Sequence, residues 1–480
     1  MQGKKNYQEK LFTSFQLSDR VPEGNLYLQL KERLELNWLY AATASYYGKE
    51  GQQSIDPVVF FKLILIGYLE NLNSDRRIIN TVSMRMDMLY FIGYDIDESL
   101  PWHSTLSRTR QLYSTEIFKQ LFRKVLEQCI AEGMVGGSCQ AIDSVFVKAN
   151  ASKDSMINKK ILEDGDAYAD GLQSEEGYPY NKGHVNATYY SPTDPDARLS
   201  RKRGKPSQLN YRAQVSVDTA SYVITNMEAQ HSDKRDHQCL VEMLDTTVDH
   251  LKANGLLIEE IVADSGYSSA SVLEYLEDNH ITGYIPNFQS YKSDREGFIY
   301  NEQEDEYTCS QGVKLVYNHT TSGRLGRRPK KVYVSDKKSC LACPLRNECI
   351  KSKSPVRMIA VTVDKPLFEK MNNRLQTRKG KYMMTLRKST VEPVLGTLVN
   401  FLGMRRVNTI GIKQAGKCMV MAAVAYNLKK LIEFCAPKIE VNKKVIEKWQ
   451  RKVQKMLFQP LNYPQLSYSL NNKFEKEIVF

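Results

Sequence analysis

The chain has 480 residues, of which 42% are hydrophobic and 25% charged, so we expect a globular protein of two or three domains and not a disordered chain. No apolar stretch typical of a signal peptide follows residues 1–10, and the longest apolar stretch, residues 58–69, is too short to span a bilayer. With nine Cys that form no disulfide framework and a net charge of +12, the sequence predicts a cytoplasmic protein with a polyanionic partner, unless the positive charge only solvates the surface.

The first third of the chain has the periodicity of helices. Asp56 and Pro57 fit an N-cap and a first helical position, and Ser74 and Ser104 fit the N-caps of two shorter helices. A longer helix is predicted over about residues 114–132. Arginines on the polar sides of these helices suit DNA phosphates, and with about equal weight they only solvate a helical bundle. They are Arg76, Arg77, Arg85, Arg108 and Arg110.

From Ser138 the pattern changes to that of strands. The sequence SCQAIDSVFVKANAS is rich in β-branched residues and predicts a strand with Asp143 in its middle. Aspartate is depleted from strand interiors, and a buried carboxylate without partners is costly, so Asp143 is a candidate functional residue. Two paired strands, residues 211–217 and 222–228, and a helix over residues 236–254 are predicted next.

Residues 258–286 predict a strand, a turn, a helix and a second strand. The first strand ends at Asp264, Gly266 lies in the turn, and Ser268 or Ser269 caps the helix. Sites in open α/β sheets form at the carboxyl ends of strands, which makes Asp264 a second candidate. A purely structural carboxylate is the alternative.

Four cysteines with the spacing C-x30-C-x2-C-x5-C follow. Four thiolates in this spacing suit a structural zinc ion, and the alternative is four free thiols in a small β-rich insertion. The cysteines are Cys309, Cys340, Cys343 and Cys349. Next to them, residues 323–338 carry seven basic residues and one acid, which predicts a contact with phosphates.

A strongly basic segment surrounds one glutamate. Between Lys370 and Lys430 the chain has thirteen Lys or Arg residues, and Glu392 is the only acid in these 61 residues. Such a segment attracts phosphates, and a single carboxylate within it indicates a function. As an alternative, residues 389–392 fit a capping box, with Pro393 in the first turn of a helix. That helix would bury a stripe of Leu395, Leu398 and Leu402.

Three isolated carboxylates, two on strands and one on a helix, predict a shared metal site. Mg²⁺ takes carboxylate oxygens and keeps waters and substrate phosphates as its other ligands, with Mn²⁺ as an alternative ion. Two such ions about 4 Å apart can hold the attacking and leaving oxygens of a phosphodiester in line. The predicted ligands are Asp143, Asp264 and Glu392.

Several motifs occur in order along the chain: AIDSVFVKANAS, IVADSGYSSASVLEYLE, and RKSTVEPVLGTL with GMRRVNTIG and AYNLKKL. Together they resemble the DDE transposases of bacterial insertion sequences, and more specifically the IS1182-type branch of the IS4/IS5-like group. The earlier motifs DPVVFFKLILIGYLENLNSDRRI and HSTLSRTR resemble the helical domain that precedes the catalytic core in this group. The resemblance covers about residues 55–432.

The resemblance implies an α/β protein with an RNase H-like catalytic core, a helical N-terminal domain and a small Cys-containing insertion. In the family pattern, Asp143 matches the first-strand Asp, Asp264 the Asp after the fourth strand, and Glu392 the helical Glu. Arg387 and Lys388 are expected to supply, upstream of the Glu, a basic group that the family often carries after it.

The resemblance further implies a transposase that binds insertion-sequence ends, cleaves DNA and transfers 3′-OH ends to target DNA. A DNA-binding regulator without catalysis and an RNase H-like nuclease without strand transfer are the alternatives. We expect a homodimer on double-stranded DNA, bound to terminal inverted repeats and target DNA, in the nucleoid. The expected domains are residues 1–135 (helical, DNA-binding), 136–300 and 356–435 (catalytic), 301–355 (Cys-rich insertion) and 436–480 (basic tail). The expected DNA-binding residues are Arg76, Arg77, Arg108, Arg110, Arg327, Arg328, Lys330, Lys331, Arg387, Lys388, Arg405 and Arg406.

Overall fold

The computed structural model describes residues 5, 14–48, 50, 54–159, 185–202, 204–287, 297–322 and 329–457, with side chains described up to residue 435. Residues Met1–Leu431 form one unit, and Ile432–Phe480 form a second. Within the described residues, none of the helices combines the length and the apolar character that crossing a membrane requires.

Among the described residues, seven α-helices precede the first strand. They are α1 Leu26–Arg33, α2 Trp38–Thr43, α3 Pro57–Leu69, α4 Asp75–Val82, α5 Met86–Ile92, α6 His103–Leu112 and α7 Thr115–Ala131. The predicted start of α3 is confirmed, because Oδ1 of Asp56 accepts hydrogen bonds from the Val58 and Val59 amides at 2.6 and 3.1 Å. Ten of the thirteen residues of α3 are buried, since α2, α4, α5 and α6 all contact it.

The other predicted helix starts agree only in part with the structure. Ser74 occupies the N-cap position of α4, as predicted, and α7, with Ser114 at its N-cap position, confirms the helix predicted over about residues 114–132. The prediction for Ser104 is wrong. Helix α6 begins at His103, with Trp102 as its extended N-cap residue, so Ser104 lies inside the first turn.

A six-stranded sheet follows these helices. Its strands are β1 Cys139–Lys148, β4 Arg198–Ser200, β5 Gln208–Asp218, β6 Ile224–His231, β7 Glu260–Val262 and β8 Thr282–Tyr284. Two further strands, β2 Ile157–Asn158 and β3 Tyr189–Tyr190, form a separate antiparallel pair. A short helix, α8 Val185–Thr188, lies between β2 and β3 in the chain. Strand β1 is central, with β5 antiparallel on one side and β7, then β8, parallel on the other. Both β4 and β6 pair antiparallel with β5, along different parts of its length.

Two helices pack on one face of this sheet. They are α9 Asp236–Ala253 and α10 Ala270–Asp278. Ile142 of β1 lies in a buried cluster with Leu240 of α9 and Val272 of α10, so even-numbered side chains of β1 face these helices. The strands predicted over residues 211–217 and 222–228 and the helix over residues 236–254 are confirmed as β5, β6 and α9.

A second, five-stranded antiparallel sheet lies between β8 and the last helices. Its strands, in spatial order, are β9 Phe298–Asn301, β10 Glu306–Cys309, β11 Lys314–Thr321, β12 Lys330–Ser335 and β13 Met358–Thr362, and two short helices, α11 Lys337–Leu341 and α12 Arg346–Cys349, connect β12 to β13. One face of this sheet buries a small core of Tyr307, Leu315, Tyr333 and Ile359.

Three helices follow the second sheet, and the start of the second helix shows that the predicted helix start at residues 389–392 is wrong. The helices are α13 Lys365–Gln376, α14 Arg378–Phe401 and α15 Ile412–Leu457. Oγ1 of Thr377 accepts the Gly380 amide at 3.0 Å and caps α14. Residues 389–392 therefore lie in the middle of the helix, and the capping-box interpretation of Glu392 is wrong. Pro393 is also inside the helix, not in its first turn.

The buried stripe of α14 differs from the prediction at one position. Leu398 and Leu402 are buried, as predicted, whereas Leu395 is only half-buried. Val391 and Val394 are buried instead, because the spacing of 391, 394 and 398 repeats with the helical period. This face packs toward β1 and leaves Glu392 on the exposed side of the helix.

Candidate active site

Asp143 lies on the face of β1 opposite α9 and is held on both carboxylate oxygens. Oδ1 accepts the Ser144 amide at 2.7 Å, and Oδ2 accepts a hydrogen bond from Nη1 of Arg387 in α14 at 2.7 Å. Burial raises the pKa of Asp143 to about 6, and the negative charge of Asp264 adds to this effect, while the Ser144 amide and the Arg387 guanidinium oppose it. Asp143 is thus a buried carboxylate whose charge depends on a neighbouring cation.

Asp264 lies beside Asp143, just beyond the end of β7, the strand parallel to β1. The ladder pairs Ala141 with Val262, so Asp143 and Asp264, each two residues further on, come to the same level. Strand β7 ends at Val262, two residues earlier than predicted, and Asp264 instead caps a short 3₁₀ turn by accepting the Gly266 amide at 2.8 Å. The structure therefore brings the first two predicted carboxylates together.

The predicted helix cap after this turn is confirmed for one of its two candidates. Oγ of Ser269 accepts the Val272 amide at 3.3 Å, at the start of α10. Ser268 precedes the cap, and its hydroxyl is buried with no hydrogen-bond partner in the described part of the chain. The turn between Asp264 and α10 is therefore short and closely packed.

Glu392 is connected to Asp143 through the guanidinium of Arg387. Nη2 of Arg387 lies 4.0 Å from Oε1 of Glu392, while Nη1 contacts Asp143, so one guanidinium joins the first and third predicted carboxylates. The Glu392 side chain is 61% exposed, whereas that of Asp143 is 18% exposed. The three carboxylates come from a strand, a turn and a helix that are far apart in the sequence.

The position of Arg387 does not support its predicted contact with DNA. Its side chain is buried between α14 and β1, and among the residues that the structure describes Nε has no hydrogen-bond partner. A guanidinium in this place neutralises Asp143 and is not open to a phosphate. Lys388, the next residue, is exposed and remains available for DNA.

Arg110 is a clearer correction of a predicted DNA contact. It is buried, and its guanidinium forms two hydrogen bonds with Asp75 of α4, at 2.6 and 3.0 Å. This ion pair joins α6 to α4 and cannot reach a phosphate. Arg108 on the same helix is exposed, as are Arg76 and Arg77 of α4.

The remaining predicted DNA-binding residues are spread over two places. Arg405 and Arg406 are exposed and lie at the end of β1, where the Lys148 amide donates to the Arg405 carbonyl at 3.2 Å. Lys330 is exposed on the second sheet, whereas Lys331 pairs with Asp305 at 3.1 Å. Arg327 and Arg328 lie outside the described residues.

The four cysteines of the predicted zinc site are half-buried free thiols at the second sheet and its short helices. Within the part of the chain that the structure describes, no three His, Cys, Asp or Glu side chains are arranged to hold a metal ion. The thiols as placed therefore do not fit zinc. The three carboxylates are of the donor type that Mg²⁺ takes, but as placed they are not arranged around a common point, and the Arg387 guanidinium lies next to Asp143.

The N-terminal helices contact the segments that follow Glu392. Asn71, in the left-handed conformation with φ 55°, donates to the Asn400 carbonyl at 3.2 Å and accepts the Gly403 amide at 3.0 Å. Nζ of Lys417 in α15 donates to the Arg110 carbonyl at 2.8 Å. These contacts join the predicted DNA-binding region directly to the end of α14.

Lys417 yields a prediction about pH. Burial lowers its pKa from 10.5 to about 8, so the folded protein bears the cost of a buried charge below this pH. Between the two values the unfolded chain binds the proton more tightly, so this group makes stability rise with pH. We expect the melting temperature of Lys417→Met, relative to wild type, to fall as the pH is raised from 7 to 10. The exposed Lys413→Met on the same helix should show no such trend, and a pH-independent difference for Lys417→Met would contradict the prediction.

Several solved transposase structures align with the chain at low similarity. The cryo-EM structure of the piggyBac transposase synaptic complex with hairpin DNA is 11% identical with a TM-score of 0.33, over 85% of this chain and 72% of that chain. The Drosophila P element transposase strand transfer complex is 9% identical with a TM-score of 0.25, over 84% and 88%. The Mos1 transposase paired-end complex with left transposon end is 9% identical with a TM-score of 0.16, over 55% and 73%.

Two family models match separate parts of the chain, while no curated protein matches it. Residues 15–112 match a Transposase domain (DUF772), which spans α1 to α6. Residues 308–432 match a Transposase DDE domain, which contains Glu392, while Asp143 and Asp264 lie between the two matched regions. Two separate parts of this chain are therefore similar to transposase domains, the second of them to a Transposase DDE domain.

Proposed function

We propose that this chain binds the ends of an insertion sequence, cleaves the DNA and transfers the 3′-OH ends to target DNA, as an IS1182-type enzyme within the IS4/IS5-like group. One observation carries the proposal. Asp143, Asp264 and Glu392 come from three distant parts of the sequence, yet Arg387 contacts Asp143 and lies 4.0 Å from Glu392, and the charge of Asp264 acts on Asp143. A carboxylate group of this kind beside a basic segment suits phosphodiester chemistry.

The strand arrangement supports an RNase H-like core. Strands β1, β5 and β6 are successively antiparallel, and β7 and β8 are parallel to β1 on its other side. The first carboxylate lies on the first of these strands, and the second follows the fourth. This is the placement that the family pattern implies for the two aspartates.

The proposed cofactor is a pair of Mg²⁺ ions, with Mn²⁺ as an alternative, held by Asp143, Asp264 and Glu392. The donor set fits, because carboxylate oxygens are the ligands that Mg²⁺ prefers. Bound Mg²⁺ would supply positive charge to stabilise an in-line displacement at phosphorus. Oδ2 of Asp143 now accepts a hydrogen bond from Arg387, so Arg387 must release this oxygen before Asp143 can bind an ion through it.

The proposed reaction has two displacements at one site. A water oxygen first attacks the phosphorus at a transposon end, and the bond to the 3′ oxygen breaks, which leaves a free 3′-OH. That hydroxyl then attacks a phosphodiester of the target DNA, a new phosphodiester forms, and a target 3′ oxygen departs. Since both displacements have the same chemistry, the carboxylates can serve both.

The DNA partner is proposed from the distribution of exposed basic residues. Arg405 and Arg406 lie at the end of β1, the strand that carries Asp143, and Arg76, Arg77 and Arg108 are exposed on the N-terminal helices. We assign the first pair to DNA at the cleavage point and the second group to sequence-dependent binding of the ends. A homodimer on DNA, a nucleoid location and the five expected domains stay part of this proposal, whereas zinc at the four cysteines does not, because the thiols as placed do not fit it.

The proposal is tested with the full-length protein and a labelled duplex that carries the element's own end. With Mg²⁺ and a target duplex, we expect cleavage at the end and a longer strand-transfer product, and neither product with EDTA. Cleavage without the longer product would indicate a nuclease. End-specific binding without any cleavage would indicate a regulator, and either result would contradict the proposed function.

A further inference from the structure

Asp236, the first residue of α9, connects two strands beneath the carboxylates. Its Oδ1 accepts a hydrogen bond from Oγ of Ser144 at 2.6 Å and one from Nε2 of Gln214 at 3.3 Å. It also forms an ion pair with the buried guanidinium of Arg212, which lies over the Phe146 ring. These contacts of Asp236 could not be predicted from the sequence, because an aspartate in the first turn of a helix is ordinary.

Ser144 links this network to Asp143. Successive side chains of a strand point to opposite faces, so Asp236 holds Ser144 on the face opposite to Asp143. The Ser144 amide also donates to Oδ1 of Asp143 at 2.7 Å. A shift of Ser144 therefore moves both the backbone of Asp143 and the hydrogen bond that orients its carboxylate.

The turn that carries Asp264 joins the same network. A Cβ added to Gly266 would lie 3.0 Å from Oδ2 of Asp236 and 3.0 Å from Oδ1 of Asp264, so the two carboxylates flank this glycine closely. The next residue, Tyr267, is fully buried, and its hydroxyl donates to Oε1 of Gln214. Gln214 in turn donates to Asp236. The Asp236 side chain is thus connected to both predicted catalytic aspartates, to Asp143 through Ser144 and to Asp264 through the Gly266 turn.

We infer that Asp236 is a positioning residue, which sets the relative placement of Asp143 and Asp264 through Ser144 and the Gly266 turn. The effect on cleavage that we expect from this inference rests on the proposed function, because the side chains of this network contact no reacting atom. Displacement of a catalytic group by about 1 Å can cost about 10²-fold in rate. Loss of the Asp236 contacts should therefore reduce cleavage without reducing DNA binding.

The first measurement does not depend on catalysis. Hydrogen exchange of full-length Asp236→Asn and Ser144→Ala should be faster than wild type in peptides that cover residues 141–147 and 263–268, and unchanged in the second sheet. Ser144→Ala removes one hydrogen bond and leaves the Arg212 ion pair in place, so it remains informative if Asp236→Asn folds poorly. Asp233→Asn is the control, because Asp233 precedes α9 and pairs only loosely with Arg198, at 3.5 Å. Unchanged exchange in both variants would overturn the inference even if the wild-type protein cleaves no DNA.

The second measurement connects the network to cleavage. At saturating end DNA, we expect Asp236→Asn to cleave about 10²-fold more slowly than wild type, with its DNA dissociation constant unchanged and Asp233→Asn unaffected. Parallel losses of melting temperature, binding and cleavage would show a merely structural role and overturn the inference. Wild-type cleavage by Asp236→Asn would overturn it too, while the proposed function would stand.

Discussion

Replacing Arg110 by alanine should destabilise the protein strongly and should not act as the loss of a DNA contact. The guanidinium forms both of its short hydrogen bonds with Asp75, and their side chains are only 7% and 13% exposed. Removing one partner leaves a largely buried carboxylate without its counter-charge, which typically costs about 3–5 kcal/mol. We expect a clearly lower melting temperature, with end binding at low temperature close to that of wild type.

Arg108→Ala is the matched control, since Arg108 lies on the same helix and is exposed. It should keep the wild-type melting temperature, weaken DNA binding, and reduce the slope of log affinity against log salt by about one. The prediction for Arg110 fails if Arg110→Ala melts like wild type and loses DNA affinity as Arg108→Ala does. This pair of point variants is preferable to deletion of residues 1–135, because Asn71 and Arg110 contact the segments after Glu392.

Asp143→Asn and Asp264→Asn should each reduce cleavage and joining by at least about 10³-fold, since loss of one stabilising group in an active site already costs about 10²–10³. DNA affinity should persist or rise, because a negative charge is removed near the phosphates. The two variants should differ in stability. Asp143→Asn leaves the buried Arg387 without its closest counter-charge, whereas Asp264 forms no ion pair in the structure described.

These effects are measured as initial cleavage rates at saturating end DNA, together with the melting temperature and the DNA dissociation constant. Arg405→Ala serves as a contrast, since loss of a phosphate contact should weaken binding and its salt dependence while leaving cleavage at saturation. If Asp264→Asn cleaves at the wild-type rate, the second carboxylate of the site is another residue.

The elements with strong local signals were predicted well. Asp56 and Pro57 gave the start of α3, and alternating apolar residues gave β5 and β6, because capping and strand periodicity are local properties. Asp143 was found because an aspartate in an apolar strand conflicts with its surroundings. Its two hydrogen-bond partners differ in this respect: the Ser144 amide is local, whereas Arg387 lies 244 residues away.

The wrong predictions come from sequence patterns that are compatible with more than one structure. Residues 389–392 match a capping box, yet the helix already begins at Arg378 with Thr377 as its cap, so the same pattern occurs in a helix interior. Arg110 and Arg108 look alike in the sequence, and only the packing of α6 on α4 shows that one of them is buried against Asp75. Charge counting alone cannot separate a surface arginine from a paired one.

The most direct test of the three-carboxylate site is cleavage of labelled end DNA by Glu392→Gln. With the capping role removed, this substitution takes only a charge from a side chain that is 61% exposed, so folding and DNA affinity should remain those of wild type. Glu369→Gln, on the neighbouring helix α13, is the control and should cleave normally. If Glu392 is part of the site, we expect no Mg²⁺-dependent cleavage by Glu392→Gln at saturating DNA. A folded Glu392→Gln protein that cleaves at the wild-type rate would contradict it.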